Sequence, residues 1–136
     1  LNTKFLRTFD QIRANLDTNE ELVIDGRPAG RFSGEEEEPR PGLACGHIPG
    51  SVNLMPTLFM NAETGELLSK SELRNVFVKA GIDPEEPMAM TCGSGVAAAA
   101  LSFIRFLVTG KIAPVYDGSW TEWGSTVGAP VATSQS

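Results

Sequence analysis

The stretch Met88-Ala89-Met90-Thr91-Cys92-Gly93-Ser94-Gly95-Val96 constrains this chain more than any other, because it runs from an apolar segment through a cysteine and small residues into an alanine-rich segment. Pro87 to Thr91 is short and apolar, the pattern of a strand buried on both faces of a parallel sheet, and is taken as the central strand. Val96 to Val108 is predicted helical and carries only Arg105 as a charge. A helix apolar nearly all round is expected in the middle of a domain, and Gly110 supplies its stop. The glycines between strand and helix let the backbone fold back around the sulfur, so that several amide N–H groups can point at it. The helix adds the positive end of its macrodipole. Both effects favour the thiolate, which is the nucleophilic form. Strand, loop and helix cues coincide here, so Cys92 is read as reactive rather than as a buried structural thiol.

The remaining elements place this segment in a sheet. Thr8-Phe9-Asp10-Gln11 reads as a capping box, and Phe9, Ile12 and Leu16 recur at helical spacing, which predicts an amphipathic helix from Thr8 to about Leu16. Glu21 to Asp25 is a second short apolar run, ending in the polar turn Asp25-Gly26-Arg27-Pro28 at the strand's carboxyl end, the edge where open α/β sheets bind ligands. Gly46 to Asn53 is a tight turn into another short strand, and His47 is read as a turn histidine holding backbone carbonyls rather than as a general base. Pro56 to Met60 is expected to form one helical turn. Ser69-Lys70-Ser71-Glu72 is a second capping box, opening a helix with Leu73, Val76, Phe77 and Ala80 on its apolar face and Gly81 at its stop. Pro114-Val115-Tyr116 is a strand, Asp117-Gly118 a turn, and Ser119-Trp120-Thr121-Glu122 the cap of a final short helix whose Trp120 and Trp123 are packing residues. From Thr126 onward, Gly, Ala, Ser and Thr predict a frayed tail. Strands alternating with helices imply an α/β domain on a parallel sheet.

Between these elements lies Gly30 to Gly46, predicted to be irregular, with Arg31 and Arg40 on either side of the acidic run Glu35 to Glu38. Loops of this length in compact domains are usually functional or mobile. The glutamates are expected to be a solvated loop tip, and the two arginines either balance them or bind an anion.

The totals narrow the function. A length of 136 residues suits one domain, and a net charge of −6 argues against nucleic acid or an anionic membrane surface as partner. No apolar run is long enough to span a bilayer. Cys45 and Cys92 are the only cysteines and make no disulfide scaffold, so a reducing compartment is expected, with Cys45 an inert loop thiol. A single histidine excludes metal sites built on several imidazoles.

Four segments then form a pattern in order: Asp25-Gly26-Arg27, Gly46-His47-Ile48-Pro49-Gly50-Ser51, Cys92-Gly93-Ser94-Gly95-Val96, and Tyr116-Asp117-Gly118-Ser119-Trp120. Together they resemble a rhodanese-like sulfurtransferase domain over nearly the whole chain. The resemblance implies a three-layer α/β domain, a central parallel sheet flanked by helices on both faces. Within the family the uncharged loop Cys92 to Val96 looks most like the catalytic C-terminal domain of the branch that uses 3-mercaptopyruvate, since thiosulfate-using members typically place basic residues straight after the cysteine. By this resemblance Cys92 is the catalytic cysteine that carries a persulfide, and the loop Gly93, Ser94, Gly95, Val96 and Ala97 stabilises it. Ser94 either passes a proton or only bonds the loop. Arg31 and Arg40 hold the carboxylate and keto oxygen of the donor. No cofactor or metal is implied. The partners implied are a small-molecule sulfur donor, a thiol acceptor such as thioredoxin or a small thiol, or cyanide, and an N-terminal rhodanese domain of the same protein, in cytosol or mitochondrion.

The chain departs from the pattern at Ala97, where relatives often have threonine, and at Gly26, where they usually have serine or alanine. It also begins where the second half of a tandem protein would begin, and is read as one rhodanese-like domain, the C-terminal half of such a protein in preference to a free-standing single domain. Three other readings are thiosulfate as donor, a non-catalytic rhodanese-like binding module, and a cysteine phosphatase. The last needs a longer loop closed by an arginine, and position 98 is Ala98.

Overall fold

The computed structural model describes residues 5–39, 41–93 and 96–133. A five-stranded sheet forms the centre, built from β1 (Leu6–Arg7), β2 (Leu22–Asp25), β3 (Val52–Asn53), β4 (Met88–Thr91) and β5 (Val115–Tyr116). The spatial order is β1-β5-β4-β2-β3, and every pairing is parallel. The expected central strand is therefore central, and β2 runs beside it in register, with Asp25 opposite Thr91. The parallel α/β architecture expected from the alternation of strands and helices is the one observed. The sequence reading lacked β1, whose two residues are too few to carry a period.

Side chains alternate across the sheet and feed two cores. Ile24, Met88 and Met90 face one cluster with Leu73, Phe77, Leu101 and Ile104, so α3 (Lys70–Lys79) and α4 (Val96–Thr109) cover that face. Val23 and Ala89 face the other cluster with Ile12, Tyr116, Trp120 and Trp123, which brings α1 (Phe9–Thr18) and α5 (Ser119–Trp123) to the opposite face. Both capping boxes form: Thr8 Oγ1 accepts from Gln11 N–H while Gln11 Oε1 accepts from Thr8 N–H, and Ser69 and Glu72 do the same. The turn expected from Pro56 is a 3₁₀ turn over Pro56–Phe59, and Phe59 is fully buried beneath it.

Four segments differ from the reading of the sequence. The irregular stretch after Gly30 holds a short helix, α2 (Ala29–Ser33), ended by Gly34 in the left-handed region. Helix α4 does not sit in the middle of the domain: Phe103 is 55% exposed and Val96 79%, while Arg105, its one charge, is buried. Arg105 donates to the carbonyls of Pro84 and Glu86, so the cation satisfies a turn that apolar residues would leave unpaired, and burial lowers its pKa. Ser119 does not cap α5; it lies at φ 53° with its hydroxyl on the carbonyl of Tyr116. Finally, the chain beyond Thr126 is tied down as far as Ala132. Trp123 Nε1 donates to the carbonyl of Pro130, and Ala132 exchanges both backbone hydrogen bonds with His47.

Candidate active site

The carboxyl ends of β2 and β4 open onto one cleft of about 410 Å³, lined by Gly26, Arg27, Pro28, Arg31, Pro56, Cys92, Gly93, Val96, Ala97 and Ala100. Parallel register explains the convergence: Asp25 and Thr91 end their strands side by side, so the turn after β2 and the cysteine loop after β4 leave the sheet together. Of the residues singled out in the sequence, Cys92, Gly93, Val96, Ala97 and Arg31 meet here. Ser94, Gly95 and Arg40 lie outside the described residues.

Cys92 is 3% exposed and, like Cys45, is in no disulfide. Its Sγ accepts the backbone N–H of Ala98 at 3.2 Å, from the first turn of α4. One of the amide donors foreseen for the sulfur is thus in place. The loop is held from behind by α5: Trp120 N–H donates to the carbonyl of Cys92 and Thr121 N–H to that of Gly93, and the Thr121 hydroxyl adds 2.7 Å to the same Gly93 oxygen. These bonds engage the carbonyls of Cys92 and Gly93 with α5. Ser119, at the start of that helix, has a left-handed φ, a conformation costing a non-glycine residue about 1–2 kcal/mol.

Two arginines line the cleft and differ in what they have left to give. Arg27 is 2% exposed, and each nitrogen of its guanidinium is already bonded within the protein. Its Nε and Nη2 bond Asp25, its Nη2 also bonds the carbonyl of Gly46 at 2.6 Å, and its Nη1 reaches Glu38 at 3.3 Å. Its guanidinium lies 4.3 Å over the Trp120 ring, a cation–π contact. Arg31, on α2, is half-buried and makes no side-chain hydrogen bond or ion pair among the described residues, so its guanidinium is available to an anion in the cleft. The other described lining groups are mostly apolar, which leaves Arg31, among the described residues, as the cation without a side-chain partner in the cleft that Cys92 also lines.

Other expected residues are placed as follows. His47 holds a backbone carbonyl, that of Phe32, through Nδ1 at 2.6 Å, and its ring stacks on Phe32 at 3.9 Å. It pins α2 and does not line the cleft. Cys45 is exposed on the loop before it. Trp120 and Trp123 are buried packing residues. Gly26 and Ala97, the two small departures, face one another: a Cβ at Gly26 would lie 3.3 Å from that of Ala97 and 3.0 Å from Leu101.

Sequence reasoning missed Arg27, Glu38 and Thr121. Arg27 was legible as part of Asp25-Gly26-Arg27, since an acid two residues before an arginine at a strand end can pair with it. Glu38 was expected in solvent with its neighbours; its side chain is 5% exposed against Arg27, while Glu35, Glu36 and Glu37 are exposed. Nothing in a run of four glutamates marks which one turns inward. Among the described residues no cluster of His, Cys, Asp and Glu could hold a metal ion, and no helix is long and apolar enough to cross a membrane.

The family model for the rhodanese-like domain matches residues 8–126. The 3-mercaptopyruvate sulfurtransferase of Homo sapiens is 42% identical over 123 residues, covering 90% of this chain and 41% of that protein. The thiosulfate sulfurtransferase of Gallus gallus is 38% identical, covering 90% of this chain and 42% of that protein. Among solved structures, the Tum1 protein from Saccharomyces cerevisiae superposes with a TM-score of 0.84 at 27% identity, over 96% of this chain and 47% of that one. The chain spans about two fifths of the length of the curated relatives it matches.

Proposed function

The chain belongs to the rhodanese-like family, and from that premise we propose that it is the catalytic domain of a sulfurtransferase that takes sulfur from 3-mercaptopyruvate. The observation that carries this reading is the cleft itself: Cys92 Sγ on the N–H of Ala98, with the unpaired guanidinium of Arg31 as the cation on an otherwise mostly apolar wall. A small donor with one carboxylate and a thiol matches that distribution.

The chemistry is a two-step transfer. The Cys92 thiolate attacks the substrate sulfur, an S–S bond forms, and the C–S bond breaks with its electron pair passing to carbon as the enolate of pyruvate. Protonation of the enolate by the new persulfide gives pyruvate and leaves Cys92–S–S⁻. An acceptor thiol then takes the outer sulfur as its own persulfide and returns Cys92 to the thiolate. Backbone amides of the loop from Gly93 to Ala97 stabilise sulfur anions in both steps. Ser94 and Arg40 are assigned by the family pattern, Ser94 to proton transfer and Arg40 to the donor beside Arg31. Arginine suits a planar carboxylate because its fork of N–H groups matches both oxygens. Thioredoxin or a small thiol is the proposed acceptor. An N-terminal rhodanese-like domain of the same protein is the proposed cover for the cleft and for the exposed Val96 and Phe103 of α4.

The thiosulfate-named relatives support a second reading, in which thiosulfate is the donor. One assay separates the two. Pyruvate release from 3-mercaptopyruvate should far exceed turnover of thiosulfate, Cys92 should gain the mass of one sulfur, and Cys92→Ser should lose roughly a thousandfold or more in turnover. A loss below about tenfold sinks the scheme. Faster turnover of thiosulfate transfers the proposal to the second reading.

A further inference from the structure

Arg27 does more than fill the floor of the cleft. Its side chain gathers both ends of the segment that carries Arg31. Asp25 holds it where β2 ends, Gly46 offers its carbonyl where the segment returns, and Glu38 reaches it from the middle. The segment is also pinned at α2, through His47 on the carbonyl of Phe32, and at Ala44, whose carbonyl accepts from Trp120 Nε1 and whose N–H donates to the carbonyl of Gly124; between Phe32 and Ala44, Glu38 is the described side chain that ties it to the sheet edge. Glu38 thus supplies a side-chain tie on the returning strand of the loop, and it is buried there at the cost of its hydration. A carboxylate held beside a site meant for an anion repels that anion, so its place needs a reason other than charge.

We propose that Glu38 is a positioning residue for the donor: by tying the loop to Arg27 it fixes the segment that brings Arg31 to the cleft Cys92 also lines. This rests on the reading of the cleft as an anion site and names what organises it. Its signature is a sign. If Glu38 acted only through its charge, removing it would strengthen binding of an anion, as removing any nearby glutamate would. If it positions Arg31, removing it weakens that binding.

The test measures protection of Cys92 from alkylation by iodoacetamide, with pyruvate as the anion. It compares wild type with Glu38→Ala, Glu38→Gln and Glu37→Gln, the last an exposed member of the same acidic run. The pyruvate concentration giving half protection should rise roughly tenfold in Glu38→Ala. Glu38→Gln, which keeps an acceptor for Arg27, should rise less, and Glu37→Gln should stay level or fall. The alkylation rate without pyruvate should stay close to wild type in both Glu38 variants; the thermal midpoint should fall in Glu38→Ala, by less than in Arg27→Ala because Asp25 still pairs with Arg27, and should stay nearer wild type in Glu38→Gln. In sulfur transfer the same variant should raise KM for 3-mercaptopyruvate with kcat little changed. The proposal is overturned if Glu38→Ala shifts in the same direction as Glu37→Gln, if kcat falls with KM unmoved, or if pyruvate fails to protect the wild type. Cys92-dependent sulfur transfer, scored separately, decides the functional reading whatever the fate of this one. Should Glu38→Ala fold poorly, the ordering of Glu38→Gln against Glu37→Gln carries the same sign test.

Discussion

At the amino end of the sheet a hollow of about 640 Å³ is lined by Arg7, Gln11, Asn15 and Glu21, among others, while the cleft at the carboxyl end measures about 410 Å³. Size favours the first and chemistry the second. Arg7 grips both oxygens of Glu21 at 2.9 and 2.8 Å and spends a third donor on the carbonyl of Leu6. Its pKa is raised, chiefly by the hydrogen bond to Glu21. Asn15 exchanges both of its amide functions with the backbone of Glu21, and Gln11 is occupied in a capping box. An anion entering that hollow would find its lining cation already paired with Glu21 and a second carboxylate, Glu20, beside it. At the carboxyl end Arg27 is spent in the same way, but Arg31 is not. A site is marked by unspent bonding capacity, and within one cleft the two arginines show both conditions.

The largest effect that would sharpen this contrast is on stability. Arg27→Ala leaves Asp25 and Glu38 buried without their cation, and should cost about 3–5 kcal/mol. Arg7→Ala removes an equally well-made pair whose side chains are 23% and 19% exposed, where water can replace the partner, and should cost about 1 kcal/mol or less. Denaturant midpoints of the two variants measure the difference. Equal losses would mean that the network around Arg27 is no more essential than a surface pair.

Activity should reverse the order. Arg31→Ala removes a cation that no side chain among the described residues pairs with, so the fold should change by under about 0.5 kcal/mol. Loss of one or two charge-assisted bonds to the donor, at ~1.5–3 kcal/mol, should lower kcat/KM for 3-mercaptopyruvate roughly tenfold to a hundredfold. Arg7→Ala should leave kcat/KM within about twofold of wild type. Steady-state kinetics on the two variants decide the matter, and an Arg7 variant that lost as much as the Arg31 variant would return the amino-end hollow to consideration.

The same distinction explains what the sequence made legible. Local signals were readable because one segment contains the whole cause: Thr8 with Gln11, Ser69 with Glu72, the apolar run of β4, and the cysteine between strand and helix. The parallel sheet followed from alternation of strands and helices. What escaped was set by partners distant in the chain. Arg105 turned inward because the carbonyls of Pro84 and Glu86 needed a donor, so an apolar helix presents phenylalanine to the outside. Ala132 is held by His47, which no composition of small residues could announce. Glu38 differs from Glu37 only in what the fold brings to it.

The smallest expected effect concerns the part of the carboxyl end that holds the cysteine loop. Tyr116 is 1% exposed, lies edge-to-face on Trp123, and donates to Glu122 of α5 at 2.6 Å. Burial first, and then the bond to Glu122, raise its pKa well above the usual phenol range. The unfolded chain releases this proton near pH ~10, whereas the folded protein keeps it. The unfolded state therefore binds fewer protons above that pH, and stability falls as pH rises further; below it the contribution is fully present. Tyr116→Phe should lose about 0.5–1.5 kcal/mol at neutral pH for the missing hydrogen bond. Above pH ~10 its deficit against wild type should shrink, because phenylalanine has no proton to lose. Denaturant midpoints at pH 8 and near pH 11 test this, and parallel profiles for the two proteins would refute it. Since Trp120 and Thr121 of the same short helix hold the carbonyls of Cys92 and Gly93, the ratio of Cys92 alkylation rates, wild type over Tyr116→Phe, should rise from pH 8 to pH 11.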